Sequence, residues 1–249
     1  MRIIIQPSAR AAAIEAAALI AAALDAKPDL VIGLPTGRTA VPMYRALAAL
    51  HRAGRASFRD ATSFNLDEFI GIPATHPGSY RSFMTRHLFR HVDLPAERAY
   101  VLNGLARQPG DAAAAFEAAI ETAGGLDIAV VGLGANGHIG FNEPSRALSA
   151  RTHVVKLHAS TRRANAALFG GDWHRVPTSA LSMGMATILG ARRVVLLATG
   201  RHKAAIVTRA LGGAITTRVP GSLLQTHPNC VVVLDREAAR GLAARISRA

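Results

Sequence analysis

The first residues here that could do chemistry are a histidine and a glutamate five positions apart in a glycine-rich stretch. They lie in Gly132-Leu-Gly-Ala-Asn-Gly-His-Ile-Gly-Phe-Asn-Glu-Pro144, where His138 precedes Glu143 and follows Asn136. A carboxylate beside an imidazole fixes one tautomer and one ring orientation, which suits the ring to proton transfer. Gly132, Gly134 and Gly137 let the backbone turn tightly and approach a ligand closely. The same pattern also fits an ordinary turn with a histidine that only satisfies its loop, because a glycine-rich loop alone is a weak signal.

Two further segments carry groups of the right kind. In Ser63-Phe-Asn-Leu-Asp-Glu-Phe-Ile-Gly-Ile72 an apolar run ends in the carboxylates Asp67 and Glu68. A carboxylate partly removed from water becomes a stronger base, so Asp67 is the first candidate for proton abstraction. The competing reading is that Asp67 caps the next helix; Glu68 would point the other way along a strand and ranks second. In Leu30-Val-Ile-Gly-Leu-Pro-Thr-Gly-Arg-Thr39 a strand runs into Thr36-Gly37-Arg38-Thr39 and then a helix. Free N–H groups at a helix N-terminus bind anions, although Thr36 or Thr39 could simply be an N-cap. Lys203, one of three lysines, follows another apolar run in Gly200-Arg-His-Lys203. It is either an anion ligand or a solvated surface charge.

These groups need a scaffold, and the apolar pattern supplies one. Strands are expected near 2–5, 29–33, 61–65, 99–102, 126–132, 153–157, 193–199 and 230–234. Helices are expected near 8–25, 39–53, 79–91, 111–123, 160–169, 183–190, 201–212 and 236–247. The alternation predicts an α/β fold: an open, mainly parallel sheet with helices on both faces, in a single domain over 1–249. In such folds ligands sit beyond the carboxyl ends of the strands, where all the candidate residues fall.

Bulk properties narrow the classes. The formal charge is +13, but the lysines are only Lys27, Lys156 and Lys203, and the arginines are scattered. Without basic–aromatic interleaving, no nucleic-acid partner is expected. The single cysteine, Cys230, excludes an internal disulfide and any multi-cysteine metal site, and in an apolar run it reads as a small buried hydrophobe. The alanine-rich stretch 11–26 contains Glu15 and reads as a buried helix, not a leader. No run spans a bilayer, so no membrane association and a cytoplasmic location are expected.

Taken in order, the three segments resemble the glucosamine-6-phosphate deaminase/isomerase family, which also includes 6-phosphogluconolactonase. The similarity runs from about Pro28 to Pro228 and includes His76-Pro-Gly-Ser-Tyr80, Leu102-Asn-Gly104 and Ser160-Thr-Arg162 with Ala164-Asn165. The resemblance implies a Rossmann-like sheet and conversion of glucosamine 6-phosphate and water to fructose 6-phosphate and ammonia. It implies Asp67 as the base that moves a proton between C2 and C1, and His138 as the ring-opening acid/base. Glu143 would orient His138, and Asn136 would hydrogen-bond the imidazole without adding charge. Thr36, Gly37, Thr39, Lys203 and Gly137 would hold the sugar phosphate, and neither metal nor organic cofactor is implied. Phe141-Asn-Glu-Pro144 favours the deaminase over the lactonase. Galactosamine 6-phosphate stays open as a substrate, as does a non-catalytic sugar-phosphate sensor, although a sensor has no need of Asp67, His138 and Glu143 together.

This sequence departs from the family in two places. Ala167 stands where relatives usually have a phosphate-contacting arginine, and Arg38 stands where they have a small residue; Arg38 is expected to replace the missing guanidinium, ahead of Arg162 or Arg163. Arg146, Ala147, His153 and Val155 do not preserve the effector site of allosteric members. Hyperbolic kinetics and a monomer or small homo-oligomer are therefore expected, with a lid around 158–178.

Overall fold

The computed structural model describes residues 1–246. Its main sheet joins seven strands in the order β1 (Arg2–Gln6), β10 (Cys230–Asp235), β9 (Arg193–Ala198), β6 (Ile128–Val131), β2 (Val31–Leu34), β3 (Thr62–Asn65) and β5 (Ala99–Tyr100). All six pairings are parallel. A parallel strand is covered on both faces, so its residues run apolar without a break and alternate between two cores. In β9, Val194 and Leu196 face one core and Val195 and Leu197 the other; in β10, Val232 and Leu234 oppose Val231 and Val233.

Helices α1 (Ala9–Ala26), α2 (Ala40–Arg52) and α3 (Tyr80–His87) cover one face, contributing Ile20, Leu47 and Phe83 to its core. On the other face lie α4 (Pro109–Thr122), α6 (Met185–Leu189), α7 (Ala204–Gly212) and α8 (Arg236–Ile246), with Phe116, Ile188, Val207 and Leu242. The alanine-rich stretch is therefore a helix of the fold, its buried face formed by Ala12, Ala13, Ala16, Ala17 and Ile20. The expected helix 236–247 is seen as α8, and its last residue lies outside the described residues. Cys230 is buried, and burial pushes its thiol up to about 11. No helix among the described residues is long and apolar enough to cross a membrane.

The expected strand at 153–157 does not join this sheet. As β7 (His153–Lys156) it pairs with β8 (Ser179–Ser182), which pairs with β4 (Asp67–Phe69), giving a separate antiparallel sheet. Neither β4 nor β8 is evident from the apolar pattern: one has three residues and the other reads Ser-Ala-Leu-Ser. The expected helix 160–169 is α5 (Ala159–Asn165) followed by a 3-10 turn at Ala166–Phe169. Phe69, Tyr80, Phe141 and Phe169 form an aromatic cluster around the small sheet and this turn.

Candidate active site

Chain order reverses between β2 and β6: from β2 the chain proceeds to β3 and β5 on one side, and from β6 to β9 and β10 on the other. Loops after the two switch strands must diverge, leaving a crevice at their carboxyl ends. Thr36–Thr39 follows β2, Asp67 follows β3, Gly132–His138 follows β6 and Lys203 lies just beyond β9.

Asp67 opens β4, directly opposite Ser182 of β8. It is 5% exposed, and its carboxyl is pushed up to about 8, first by burial and then by the neighbouring Glu68, against a weak opposing bond from Thr36. That hydroxyl lies 3.5 Å from Asp67 Oδ1, linking the β2 loop to the carboxylate. Glu68 does something different. Its carboxylate accepts the N–H groups of Phe69, Tyr80 and Arg81, each at 2.9 Å, and so caps the start of α3. The helix-capping reading considered for Asp67 thus belongs to Glu68, which is not free to act as a base.

His138 rests against Gly134, where an added Cβ would lie 2.3 Å from the imidazole, so only glycine leaves room for the ring. Its Nδ1 is 3.7 Å from Glu143 Oε2 and 3.5 Å from the Thr161 hydroxyl of α5. The Glu143 carboxylate also accepts the Asn136 amide at 2.8 Å and the His158 backbone N–H at 3.1 Å. Burial alone would raise the Glu143 carboxyl, but the bond and charge of His138, with bonds from Thr161 and Asn136, hold it down at about 2. Asn136 does not bond the imidazole as expected. Its oxygen accepts the His138 backbone N–H at 3.1 Å while its amide holds Glu143, so it sets the loop and its carboxylate instead of the ring.

β8 ties the two centres together. Ser182 Oγ accepts the Phe141 N–H at 3.0 Å, and Asn142 donates to the Met183 carbonyl at 2.8 Å. Gly140, at φ +58°, lies beside both: a Cβ there would sit 3.2 Å from Ser182 Oγ and 3.6 Å from Asp67 Oδ2. The 138–142 loop and Asp67 are thereby fixed against one strand. Gly137 packs on Val219 and Ile206, and its carbonyl accepts the Gly221 N–H at 2.8 Å.

In the β2 loop, Gly37 has φ +108°, a conformation that favours glycine. Thr39 stands at the N-cap position of α2, but its side chain makes no capping bond. Arg38 is exposed beside the crevice. Lys203 donates to the Leu133 carbonyl at 2.7 Å, and its ammonium is held below its ordinary value by burial and then by the charge of Arg38. The two cations are therefore close enough to feel each other's charge. Ala167 is exposed on the 3-10 turn after α5. Arg162 is committed to the Val176 and His174 carbonyls at 3.0 and 3.1 Å, and with Arg163 it stacks on Trp173.

Sequence reasoning missed Ser182, Thr161 and His158. Thr161 lay inside a motif already singled out; Ser182 and His158 had no local signal. Among the described residues no His, Cys, Asp and Glu side chains gather into a metal-ligating cluster.

Fold and site together define a doubly wound α/β protein with a buried carboxyl, Asp67, and a histidine–glutamate pair, His138 and Glu143, at the carboxyl ends of its strands. Residues 6–233 match the family of glucosamine-6-phosphate isomerases/6-phosphogluconolactonase, and the chain belongs to that family. It is 42% identical over 239 residues to the glucosamine-6-phosphate deaminase of Halothermothrix orenii, covering 96% of this chain and 99% of that protein. It is 45% identical over 236 residues to glucosamine-6-phosphate deaminase 2 of Giardia intestinalis, covering 95% and 90%. A solved monomeric glucosamine-6-phosphate deaminase superposes with a TM-score of 0.93 at 38% identity, over 97% of this chain and 100% of that one. The 6-phosphogluconolactonase of Trypanosoma cruzi, at 21% identity and a TM-score of 0.77 over 97% and 96%, shares the fold.

Proposed function

We propose that this chain converts glucosamine 6-phosphate and water to fructose 6-phosphate and ammonia. The observation that carries the reading is Asp67: a buried carboxyl at about 8, linked by Thr36 to the cationic loop and braced by Ser182 against the His138 loop. The names of the similar proteins support the same reaction.

The sugar phosphate enters with its phosphate at the Thr36–Thr39 turn before α2, between Arg38 and Lys203. Arg38 supplies the guanidinium absent at Ala167. Lys203 keeps two N–H donors beyond the one spent on Leu133. His138 takes the C1 hydroxyl proton and gives a proton to the ring oxygen as the bond between C1 and that oxygen breaks, opening the pyranose to its aldehyde, with Glu143 supporting the charged imidazole. Asp67 takes the proton from C2 and returns it to C1, passing through an enolamine and leaving an imine at C2. Water adds to that carbon, and ammonia departs. A base with its pKa near 8 is strong enough to remove a carbon-bound proton and is still partly ionised at neutral pH.

Segment 158–178 acts as a lid over this site. Thr161 and His158 reach the His138–Glu143 pair, and a cavity of about 380 Å³ beside Ile72, Leu168 and Phe169 leaves room for movement. Kinetics are hyperbolic and the protein is a monomer or small homo-oligomer, in keeping with the monomeric relative. The reaction is assigned to the cytoplasm, where a thiol such as Cys230 stays reduced.

Ammonia release from glucosamine 6-phosphate, measured for the wild type and Asp67→Asn, tests the reading. Release that vanishes in the variant is expected. Turnover of galactosamine 6-phosphate or 6-phosphogluconolactone instead would reassign the substrate, and silence on all three would restore the sensor reading. For the loop, Arg38→Ala is expected to raise KM about tenfold or more with kcat little changed; an unchanged KM would remove Arg38 from phosphate binding.

A further inference from the structure

A second cationic site lies away from the crevice, along the outer half of α2. Thr39 and Arg52 are thirteen residues apart, so the far end of α2 lies about 20 Å from the Thr36–Thr39 loop at 1.5 Å per residue. There α2 and the end of α3 border a cavity of about 990 Å³. Arg45 and Arg52 come from one face of α2, and Arg86 and Arg90 from α3 and the 3-10 turn after it. His51, His87 and His91 also line it.

Among the described residues none of the four guanidinium groups meets a carboxylate. Arg52, Arg86 and Arg90 bond only the carbonyls of Ala48, Pro77 and Thr85, at 3.4, 3.5 and 3.2 Å. Arg45 has no hydrogen-bond or ion-pair partner among the described residues. The single acidic group in the wall, Asp93, is already engaged by the Ser57 hydroxyl at 2.7 Å, the Phe58 N–H at 2.6 Å and His51 at 3.5 Å.

Complementing helix dipoles accounts for a basic residue or two in the last turn of each helix. It does not account for Arg45, the sixth of the thirteen residues of α2, or for four unpaired arginines around one cavity. Two of the histidines are held in place. A carbonyl can only accept, so His51 Nδ1–H donates to Ala56 at 2.9 Å and His91 Nε2–H donates to Arg86 at 2.9 Å. His87 is held below its ordinary value, first by burial and then by the charges of Arg86, Arg45 and His91.

We infer that this groove binds a compact polyanion of the polyphosphate class, with the four arginines as its ligands. Four fork-shaped donors around one space match several phosphoryl groups at once, and the cavity lies at the upper end of the range usual for small-molecule sites. The inference is independent of the reaction proposed for the crevice.

The test is calorimetric titration with inorganic tripolyphosphate and with orthophosphate at equal ionic strength, on the wild type, Arg45→Gln/Arg86→Gln and Arg38→Gln/Lys203→Gln. Tripolyphosphate is expected to bind the wild type at least tenfold more tightly than orthophosphate. The Arg45/Arg86 pair should lose at least tenfold of that affinity, since each charge-assisted contact is worth roughly tenfold or more. The Arg38/Lys203 pair should keep it. Equal affinity in the wild type and the Arg45/Arg86 variant would overturn the assignment, as would loss of binding in the Arg38/Lys203 variant. Displacement of tripolyphosphate by a tighter-binding single-stranded oligonucleotide would also overturn it, in favour of nucleic acid. If the first variant does not fold, Arg52→Gln/Arg90→Gln carries the same expectation and the same refutation.

Discussion

In the parallel sheet, β9 and β10 send alternate buried residues into two cores, while in the antiparallel sheet β7 alternates only between half-buried and exposed positions. The first gets its order from apolar area: β6, β9 and β10 are buried along almost their whole length, and each pairs with two neighbours. The second gets its order from a few polar contacts, Ser182 to Phe141 and Asn142 to Met183, and from the aromatic cluster around Phe69. One carries the stability and opens the crevice. The other sets the distance between Asp67 and the His138 loop, so a small loss there should reach activity before it reaches folding.

The contrast is sharpest at Asp67. Asp67→Asn should lower kcat by about 10²–10⁴-fold, the usual contribution of a general base. The same change should stabilise the protein. A carboxyl raised to about 8 gives stability that is full below its unfolded pKa near 4 and lost as pH rises through 8. The variant should therefore be more stable by about 0.5–2 kcal/mol above pH 8, as read by urea unfolding. In the wild type, kcat/KM should fall about tenfold per pH unit below about 8, and a profile flat from pH 6 to 9 would remove Asp67 as the base.

Glu143→Gln comes next, with an expected loss of about 10- to 100-fold in kcat, since it removes the charge beside His138 and leaves an acceptor for only one of the Asn136 amide and the His158 N–H, which bond separate oxygens of the carboxylate. Here the sign of the pH effect is opposite. A carboxyl at about 2 gives stability that is present above its unfolded pKa near 4.3 and lost as pH falls towards 2. Acid unfolding of the variant should show correspondingly less pH dependence between 4 and 2.

Ser182→Ala should cost about 1–3 kcal/mol, because it leaves the buried Phe141 N–H without its acceptor. Its kcat should fall several-fold, since the 138–142 loop loses its brace. Smallest in activity is Ile32→Val in the core of β2: about 0.5–1.5 kcal/mol of stability with kcat unchanged. If Ile32→Val slowed the enzyme as much as Ser182→Ala, the division of labour between the two sheets would fail.

The sequence determined whatever depends on local pattern. Runs such as Cys230-Val-Val-Val-Leu234 announce buried parallel strands, and their alternation with helices leaves few topologies open. Asp67, His138 and Glu143 were legible because their residue types and glycine-rich surroundings persist in the chain itself, and because the ordered motifs resemble a family. Tertiary structure decided what joins distant residues. β8 has no apolar signature, and Ser182 becomes a brace only when folding sets it opposite Asp67. Glu68 and Asp67 are neighbours of the same type, yet one meets three N–H groups and the other is left nearly unpaired and buried. Asn136 bonds the His138 backbone N–H and Glu143 instead of the imidazole, partners that only the folded loop sets beside it. Burial and contact, not residue type, separate a capping carboxylate from a buried one with a raised pKa, and both are properties of the folded chain.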